Sequence, residues 1–399
     1  MHKPLITTSV RALMPRALPL LVALCFALVA GTAASAGPVL TPAAPQLAAE
    51  SWILLDANTG RVLVEENANQ QLPPASLTKM MTSYVVSSEM AKNKFDEDTL
   101  VPISVTAWNM GGSKMFVREG TEVSVSDLLR GLIIQSGNDA TVALAEFVAG
   151  SEETFADVMN QQAEQLGMSN THFVNATGWP AEGHVTTAHD LAILARALIQ
   201  DYPEHYKLYA EKQFKYNNIA QRNRNLLLWR DKSVDGIKTG HTQEAGYCLV
   251  SSALRDGMRL VAVVMGANSE DARARESSKL LSYGFRFYET ARIYGAGDVV
   301  KPEVRVWLGK DNRVNIVTAK DVYLTLPRGA RDDLDAVIHV DDVVRAPLTL
   351  TDELGTLTVN YEGETLLKES LVADREVPEA GFFARIWDHL LLFVLGIFS

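Results

Sequence analysis

The chain has 399 residues, 47% of them hydrophobic and 21% charged, enough for one large domain with a buried core and a smaller one. Its 48 acidic residues outweigh 37 basic ones, and the net charge of −11 excludes general binding to nucleic acid or to anionic polymers. Any anionic substrate group needs a local basic pocket.

Residues 1–36 read as a secretory signal. Lys3, Arg11 and Arg16 form a basic leader, residues 18–30 an apolar run, and Ala34-Ser35-Ala36 a small-residue cleavage pattern. The run is short for an uncleaved membrane anchor, and Cys25 behind Leu24 is a poor context for lipoprotein processing. Cleavage before Gly37 removes three positive charges and leaves a net charge of −14. It also leaves Cys248 without a disulfide partner; within Tyr247-Cys248-Leu249-Val250 this residue reads as core filler rather than a nucleophile.

Residues 37–48 are rich in Pro and Ala and read as a linker into a domain spanning 49–294. Trp52-Ile53-Leu54-Leu55 and Arg61-Val62-Leu63-Val64 flank a turn through Asn58-Thr59-Gly60, predicting a β-hairpin. A second hairpin is predicted around Arg255-Asp256-Gly257, and both are apolar enough for central strands of one antiparallel sheet. Between them the pattern turns helical. Ser151 caps a helix that Gly167 stops, with Phe155, Val158, Met159, Ala163 and Leu166 on one face, and Thr187 with Asp190 opens another. Strand pairs at both ends with helices inserted between them predict a mixed α/β (α+β) domain: a sheet plus a helical subdomain.

Residues 295–376 change texture. Short alternating runs at 304–307, 314–316, 322–326, 336–340 and 357–361, with turns at Lys310-Asp311-Asn312 and Glu362-Gly363, predict a small all-β sandwich without a chemical motif. Residues 377–399 form an amphipathic tail. Arg385, Asp388 and His389 share one helical face, while Phe382, Phe383, Ile386, Trp387, Leu390, Leu391, Val394, Ile397 and Phe398 cover most of the rest. So wide an apolar arc on so short a segment predicts a helix lying in a membrane surface rather than spanning it or docking on the protein's own core.

Three short motifs carry chemistry. Ser76-Leu77-Thr78-Lys79 follows Pro73-Pro74 at a predicted helix N-terminus, Ser136-Gly137-Asn138 lies between helical stretches, and Lys238-Thr239-Gly240 begins a strand. Singly each has an ordinary explanation: a helix cap and a solvated lysine, an interhelix turn, a strand start. Their order, with spacings of 60 and 102 residues, in a chain with an export signal makes coincidence improbable. A serine needs an adjacent base to become a nucleophile, and residues i and i+3 of a helix share a face, which brings the Lys79 amine beside the Ser76 hydroxyl. Burial and a second cation, Lys238, favour the unprotonated amine. The helix N-terminus favours a developing oxyanion, and a strand from Lys238 offers backbone groups to an extended peptide.

The motifs resemble those of the low-molecular-mass penicillin-binding proteins, the D-alanyl-D-alanine carboxypeptidases of the active-site serine penicillin-recognising superfamily. Longer stretches share the resemblance: Pro74-Ala75-Ser76-Leu77-Thr78-Lys79-Met80, Ile134-Gln135-Ser136-Gly137-Asn138-Asp139-Ala140, and Val234-Asp235-Gly236-Ile237-Lys238-Thr239-Gly240-His241-Thr242. The resemblance implies a β-lactamase/transpeptidase-like catalytic domain, a β-sandwich and an amphipathic anchor. It also implies an acyl-enzyme on Ser76 that removes terminal D-alanine from peptidoglycan pentapeptide stems and is acylated by β-lactams.

Residue by residue, it makes Ser76 the nucleophile, Lys79 the base, Ser136 a proton relay to the leaving D-alanine and Asn138 a holder of the substrate amide. Lys238, Thr239 and Gly240 line the site, with Lys238 near the terminal carboxylate. The backbone N–H groups of Ser76 and His241 form the oxyanion hole. Arg273 matches a family arginine at the carboxylate, with Arg275 a rival by register, and Arg224 falls where the family has another. The loop after Phe173-Val174-Asn175 departs from class A β-lactamases in lacking Glu-x-x-Leu-Asn; Glu182 is its only carboxylate.

No metal or cofactor is expected, since the eight histidines show no paired ligand spacing and there is no Gly-rich phosphate loop. The expected location is periplasmic, on the outer face of the cytoplasmic membrane. A homodimer through the tail is left open, as are three alternatives for the function: a β-lactamase or endopeptidase of the same fold, a transpeptidase, and a non-catalytic scaffold.

Overall fold

The two predicted hairpins meet in one sheet. The computed structural model describes residues 42–397; the signal-like segment and the first five linker residues, 37–41, lie outside the described residues. Strand β1 (Ser51–Asp56) pairs with β2 (Val62–Glu66) on one side. On the other it pairs with β5 (Met258–Ala267), Trp52 opposite Val264. Strands β3 (Val234–Thr242) and β4 (Gly246–Arg255) complete an antiparallel five-stranded sheet in the order β2-β1-β5-β4-β3. Alternate side chains of a strand face opposite ways, and here both faces are buried. Ile53, Leu55, Val261 and Val263 enter a core under the helical subdomain; Trp52, Leu54, Leu260 and Ala262 enter a second core on the opposite face.

The second core is closed by a helix that the sequence pattern did not single out, Glu270–Phe287, capped by Ser269, which accepts from Ala272 N. The helical subdomain is built around α1 (Lys79–Ala91), buried on nearly every face, as expected of a helix in the middle of a core. Around it pack α2 (Asn138–Ala149), α3 (Glu152–Leu166) and α4 (Ala188–Asp201). The predicted caps are in place: Ser151 accepts from Thr154 N, Thr187 accepts from Asp190 N, and Gly167 ends α3 with φ 80°.

Strand Tyr288–Tyr294 pairs with Val322–Pro327, so sheet pairing carries residues 288–294 with the second domain rather than the first. That domain's larger sheet has six strands, including Glu364–Ala373, whose mixed polar sequence gave no clear alternation. Asp56, fully buried at the end of β1, ties the two domains together. Its carboxylate accepts from Thr325 Oγ1 at 2.9 Å, from the Thr290 hydroxyl, and from Asn58 N at 2.8 Å. Arg61 Nη1 adds a bond to Thr325 O at 2.6 Å.

The tail forms a helix, Phe382–Ile397. Asp388 accepts from Leu308 N at 2.7 Å and holds the polar face against the second domain. Phe383 (84% exposed), Trp387 (61%) and Phe393 (69%) face outward. No helix among the described residues is long and apolar enough to cross a membrane.

Replacing Asp56 with Ala strands buried hydroxyl and amide donors at the domain junction, which costs about 2 kcal/mol. Urea unfolding of Asp56→Ala is expected to show that loss; unchanged stability would remove Asp56 as the tie between domains.

Candidate active site

Ser76 sits in a single 3-10 turn, Ala75–Thr78, that runs directly into α1. Lys79, the first residue of α1, is completely buried. Its Nζ donates to Ser76 Oγ at 3.1 Å, to Asn138 Oδ1 at 2.7 Å and to Thr177 O at 2.5 Å. All three acceptors are uncharged. Dehydration, followed by the positive field of Arg224, lowers the Lys79 pKa to about 7, while the more distant carboxylates of Glu152 and Asp139 oppose the shift. At neutral pH a substantial fraction of the amine is therefore free to take a proton.

Ser136 ends a short wide helical turn, Gly131–Gln135, and adopts φ 63°, a left-handed conformation that costs a non-glycine residue about 1 kcal/mol or more. Its hydroxyl is buried and has no hydrogen-bond partner among the described residues. Asn138 opens α2, and its Nδ2 donates to Gly111 O at 2.8 Å while its Oδ1 accepts from Lys79.

Strand β3 closes the opposite side and is an edge strand of the sheet. A Cβ at Gly240 would lie 3.1 Å from Pro74 O and 3.2 Å from Leu77 Cγ, so glycine lets this strand approach the Ser76 turn. Lys238 and Thr239 are both buried, and Lys238 Nζ donates to Thr239 O at 3.0 Å. Burial, then the neighbouring charges of Lys79, Arg224 and Arg273, push the Lys238 pKa well down. His241, exposed at the end of β3, stacks on its cross-strand partner Tyr247 with ring centroids 4.0 Å apart.

Burial separates the two arginines. Arg273 is 3% exposed, and its Nη1 donates to Gly240 O at 3.0 Å. Arg275 points outward, pairing with Asp271 and Glu276. Arg224 is exposed as a residue, yet its guanidinium is dehydrated enough to lower its own pKa, and its charge reaches both lysines. Glu182 is exposed.

The matching family models cover almost the whole described chain. Residues 39–269 match the D-alanyl-D-alanine carboxypeptidase model, and residues 288–379 match that of the penicillin-binding protein 5 C-terminal domain. The chain belongs to the D-alanyl-D-alanine carboxypeptidase family. It is a serine-type enzyme of that class. The carboxypeptidase DacA of Escherichia coli (strain K12) is 45% identical over 94% of this chain and 95% of its own. DacC of the same organism is 43% identical over 88% and 90%. Penicillin-binding protein 5 of Haemophilus influenzae superposes with a TM-score of 0.79 at 40% identity, covering 85% of this chain and all of its own.

Five further residues position the candidate site and were not picked out for that role from the sequence. Asp139, fully buried, accepts from the backbone N–H groups of Met115 (2.9 Å), Phe116 (2.8 Å) and Val117 (3.2 Å), fixing residues 115–117 as one wall. Thr177 supplies the carbonyl on Lys79, and Glu152 holds the neighbouring Ala176 N at 3.0 Å. Gly178 has φ 80°, and a Cβ there would collide with Ala75 O at 1.8 Å. His184, 4% exposed, bridges that loop to the nucleophile turn. Its Nδ1 accepts from Val174 N at 3.1 Å, and its Nε2 lies 2.9 Å from Thr78 Oγ1, which donates to Ala75 O. Burial, then the charges of His172 and Lys79, lowers the His184 pKa to about 4, so it stays neutral as this bridge requires. Asp139 had a signal in its place directly after the Ser136-Gly137-Asn138 motif; the Thr177 carbonyl had none.

Acylation of Ser76 by a β-lactam is expected to rise with pH through about 7, since below that value Lys79 is an ammonium and cannot accept the serine proton. Arg224→Gln removes a positive charge that favours the neutral amine, so the limb should move to higher pH. A limb that stays put in stopped-flow acylation would show that Arg224 does not tune Lys79.

Proposed function

We propose that Ser76, Lys79 and Ser136 carry out the carboxypeptidase reaction on peptidoglycan stem peptides ending in D-Ala-D-Ala. Lys79 takes the proton as Ser76 Oγ bonds to the carbonyl carbon between the two D-alanines. The carbonyl becomes an oxyanion facing the backbone N–H groups of Ser76 and His241. As it re-forms, the C–N bond breaks, and the leaving amine takes a proton relayed from Lys79 through Ser136. Water then adds to the ester and frees Ser76. Asn138 holds the substrate amide, while Lys238, Thr239 and Arg273 receive the terminal carboxylate, with Arg224 adding positive field. The observation that carries this reading is the buried Lys79 amine, 3.1 Å from Ser76 Oγ and brought down to a pKa of about 7.

Penicillin-binding protein D2 of Listeria monocytogenes, 31% identical over 61% of this chain, has been solved with ampicillin bound. Acylation by β-lactams is assigned here to Ser76. The outward apolar face of the tail helix lies in the outer leaflet of the cytoplasmic membrane and keeps the enzyme at the periplasmic surface.

Two measurements test these assignments. Wild-type protein should release free D-alanine from a D-Ala-D-Ala peptide and gain a β-lactam mass adduct, and Ser76→Ala should do neither; release persisting in the variant would unseat Ser76. The full chain should co-float with vesicles containing anionic phospholipid, and the pair Trp387→Glu, Leu390→Glu should lower the floated fraction about tenfold or more. Equal flotation would put the membrane contact elsewhere.

A further inference from the structure

The second domain ends in a sheet edge left open to solvent. Strand Leu334–Val340 lies at one end of the six-stranded sheet and pairs on one side only, with Gly355–Tyr361, in an unbroken antiparallel register. In such a ladder alternate residues turn both backbone groups toward the same neighbour. Asp341 N donates to Leu354 O, one pair beyond the strand's end, so Asp335, Val337 and His339 spend their groups inward. Ala336 and Ile338 turn theirs outward, where no partner stands among the described residues.

Both faces of the strand are open as well. All five residues from Asp335 to His339 are exposed, Val337 at 49% and Ile338 at 40%. Sheet edges are ordinarily blunted by shortness, charge, proline or a bulge, since unpaired backbone groups invite another strand. The opposite edge of this sheet is a two-residue strand, Val344–Arg345, and the edge strand β2 of the first domain ends in Glu65-Glu66. The edge at 334–340 is seven residues long without proline, lysine or bulge.

Its sequence is self-complementary. Two antiparallel copies with Val337 on the two-fold axis set Val337 against Val337, Ala336 against Ile338, and Asp335 against His339 twice. The outward backbone groups of Ala336 and Ile338 then bond to one another. Asp335 and His339 fall at non-hydrogen-bonded positions, where facing side chains come closest. An imidazole donates to a carboxylate whether neutral or protonated, and neither side chain has an ion pair or hydrogen bond among the described residues. Moving the axis to Ile338 would set Asp335 against Asp341, and moving it to Ala336 would set Asp335 against Val337, so charge selects one register.

We propose that strand Leu334–Val340 pairs with the same strand of a second copy of this chain, about an axis through Val337. This places self-association in the second domain rather than in the tail, and it is independent of the chemistry at Ser76. One strand is a small interface, so the pair is transient and has to be trapped covalently.

The test uses the full chain in detergent solution with copper-phenanthroline as oxidant. Facing Cα atoms of a non-hydrogen-bonded pair lie about 4.5 Å apart, within reach of a disulfide. Val337→Cys should cross-link copy to copy about tenfold faster than Ala336→Cys or Ile338→Cys, which meet their own copies only across a diagonal of about 7–8 Å. Asp335→Cys and His339→Cys should each resist self-linking and yet cross-link when mixed. The wild type, whose Cys248 is buried, gives the background. Added to Val337→Cys, Asp335→Lys should slow cross-linking about tenfold, and His339→Asp on top of it should restore the rate. Comparable cross-linking at 336, 337 and 338 would overturn the proposal by showing collision without register. No cross-linking of Val337→Cys, in a variant whose thermal unfolding matches the wild type, would overturn it too and leave the edge to an extended segment of a different protein. A charge exchange that fails to restore the rate would remove the match on which the register rests.

Discussion

An amine taken wholly out of water without a carboxylate beside it is the constraint on which the rest of the site depends. Lys79 surrenders its hydration and receives in exchange a hydroxyl, an amide oxygen and a backbone carbonyl. Neutral acceptors offset part of the desolvation without pinning the charged form, as a buried ion pair would. The carboxylates that act on it, Glu152 and Asp139, bond to backbone amides instead, so their fields moderate the shift without cancelling it. Moving either carboxylate into contact with Nζ would hold the lysine as an ammonium and leave Ser76 without a base.

That balance demands three walls of different origin within reach of one nitrogen, and each is fixed differently. The first, the turn carrying Ser76, is continuous with α1, and Gly240 lets β3 lie against it. The second, at residues 111–117, has little regular structure and is organised by Asn138 and Asp139 at the start of α2. The third is the loop through Thr177 and Gly178, clamped to the nucleophile turn from below by His184. Regular elements therefore supply Ser76, Lys79, Lys238 and Arg273, while irregular segments supply Arg224, Ser136, carbonyls and apolar surface. The division is physically sensible, since a carbonyl already spent in a helix or sheet is poorly placed to accept from Lys79.

This also explains what could be read in advance. Motifs built from side chains on regular elements were legible, since Ser76 and Lys79 share a helical face, but Lys238 does not begin its strand: it lies in the middle of β3, which ends at Thr242 before the strand of Tyr247. The hairpins, the caps at Ser151 and Thr187 and the apolar tail announced themselves through periodicity and capping chemistry. The Thr177 carbonyl and the Gly178–Ala75 contact carry no residue-type signature, because any residue supplies a carbonyl and a close approach exists only in the folded chain. Arg273 and Arg275 were indistinguishable by composition; two positions along a helix separate them by roughly 200°, and only the packing of that helix on β4 and β5 decides which faces Gly240. Strand Glu364–Ala373 escaped notice because its core contacts concentrate at one end, at Leu371, Val372 and Ala373.

Charge ties the arrangement together at a longer range. An acidic protein that must admit a substrate ending in a carboxylate has to reverse its own field locally. Lys238, Arg224 and Arg273 gather positive charge around Ser76, and burial, then the charges of Lys79, Arg224 and Arg273, lowers the Lys238 pKa. The same cluster that attracts the anion also favours the neutral form of Lys79 through Arg224. On the proposed reading, a carboxylate bound there would offset part of that positive field and raise the proton affinity of Lys79, so one set of cations would link substrate binding to base strength.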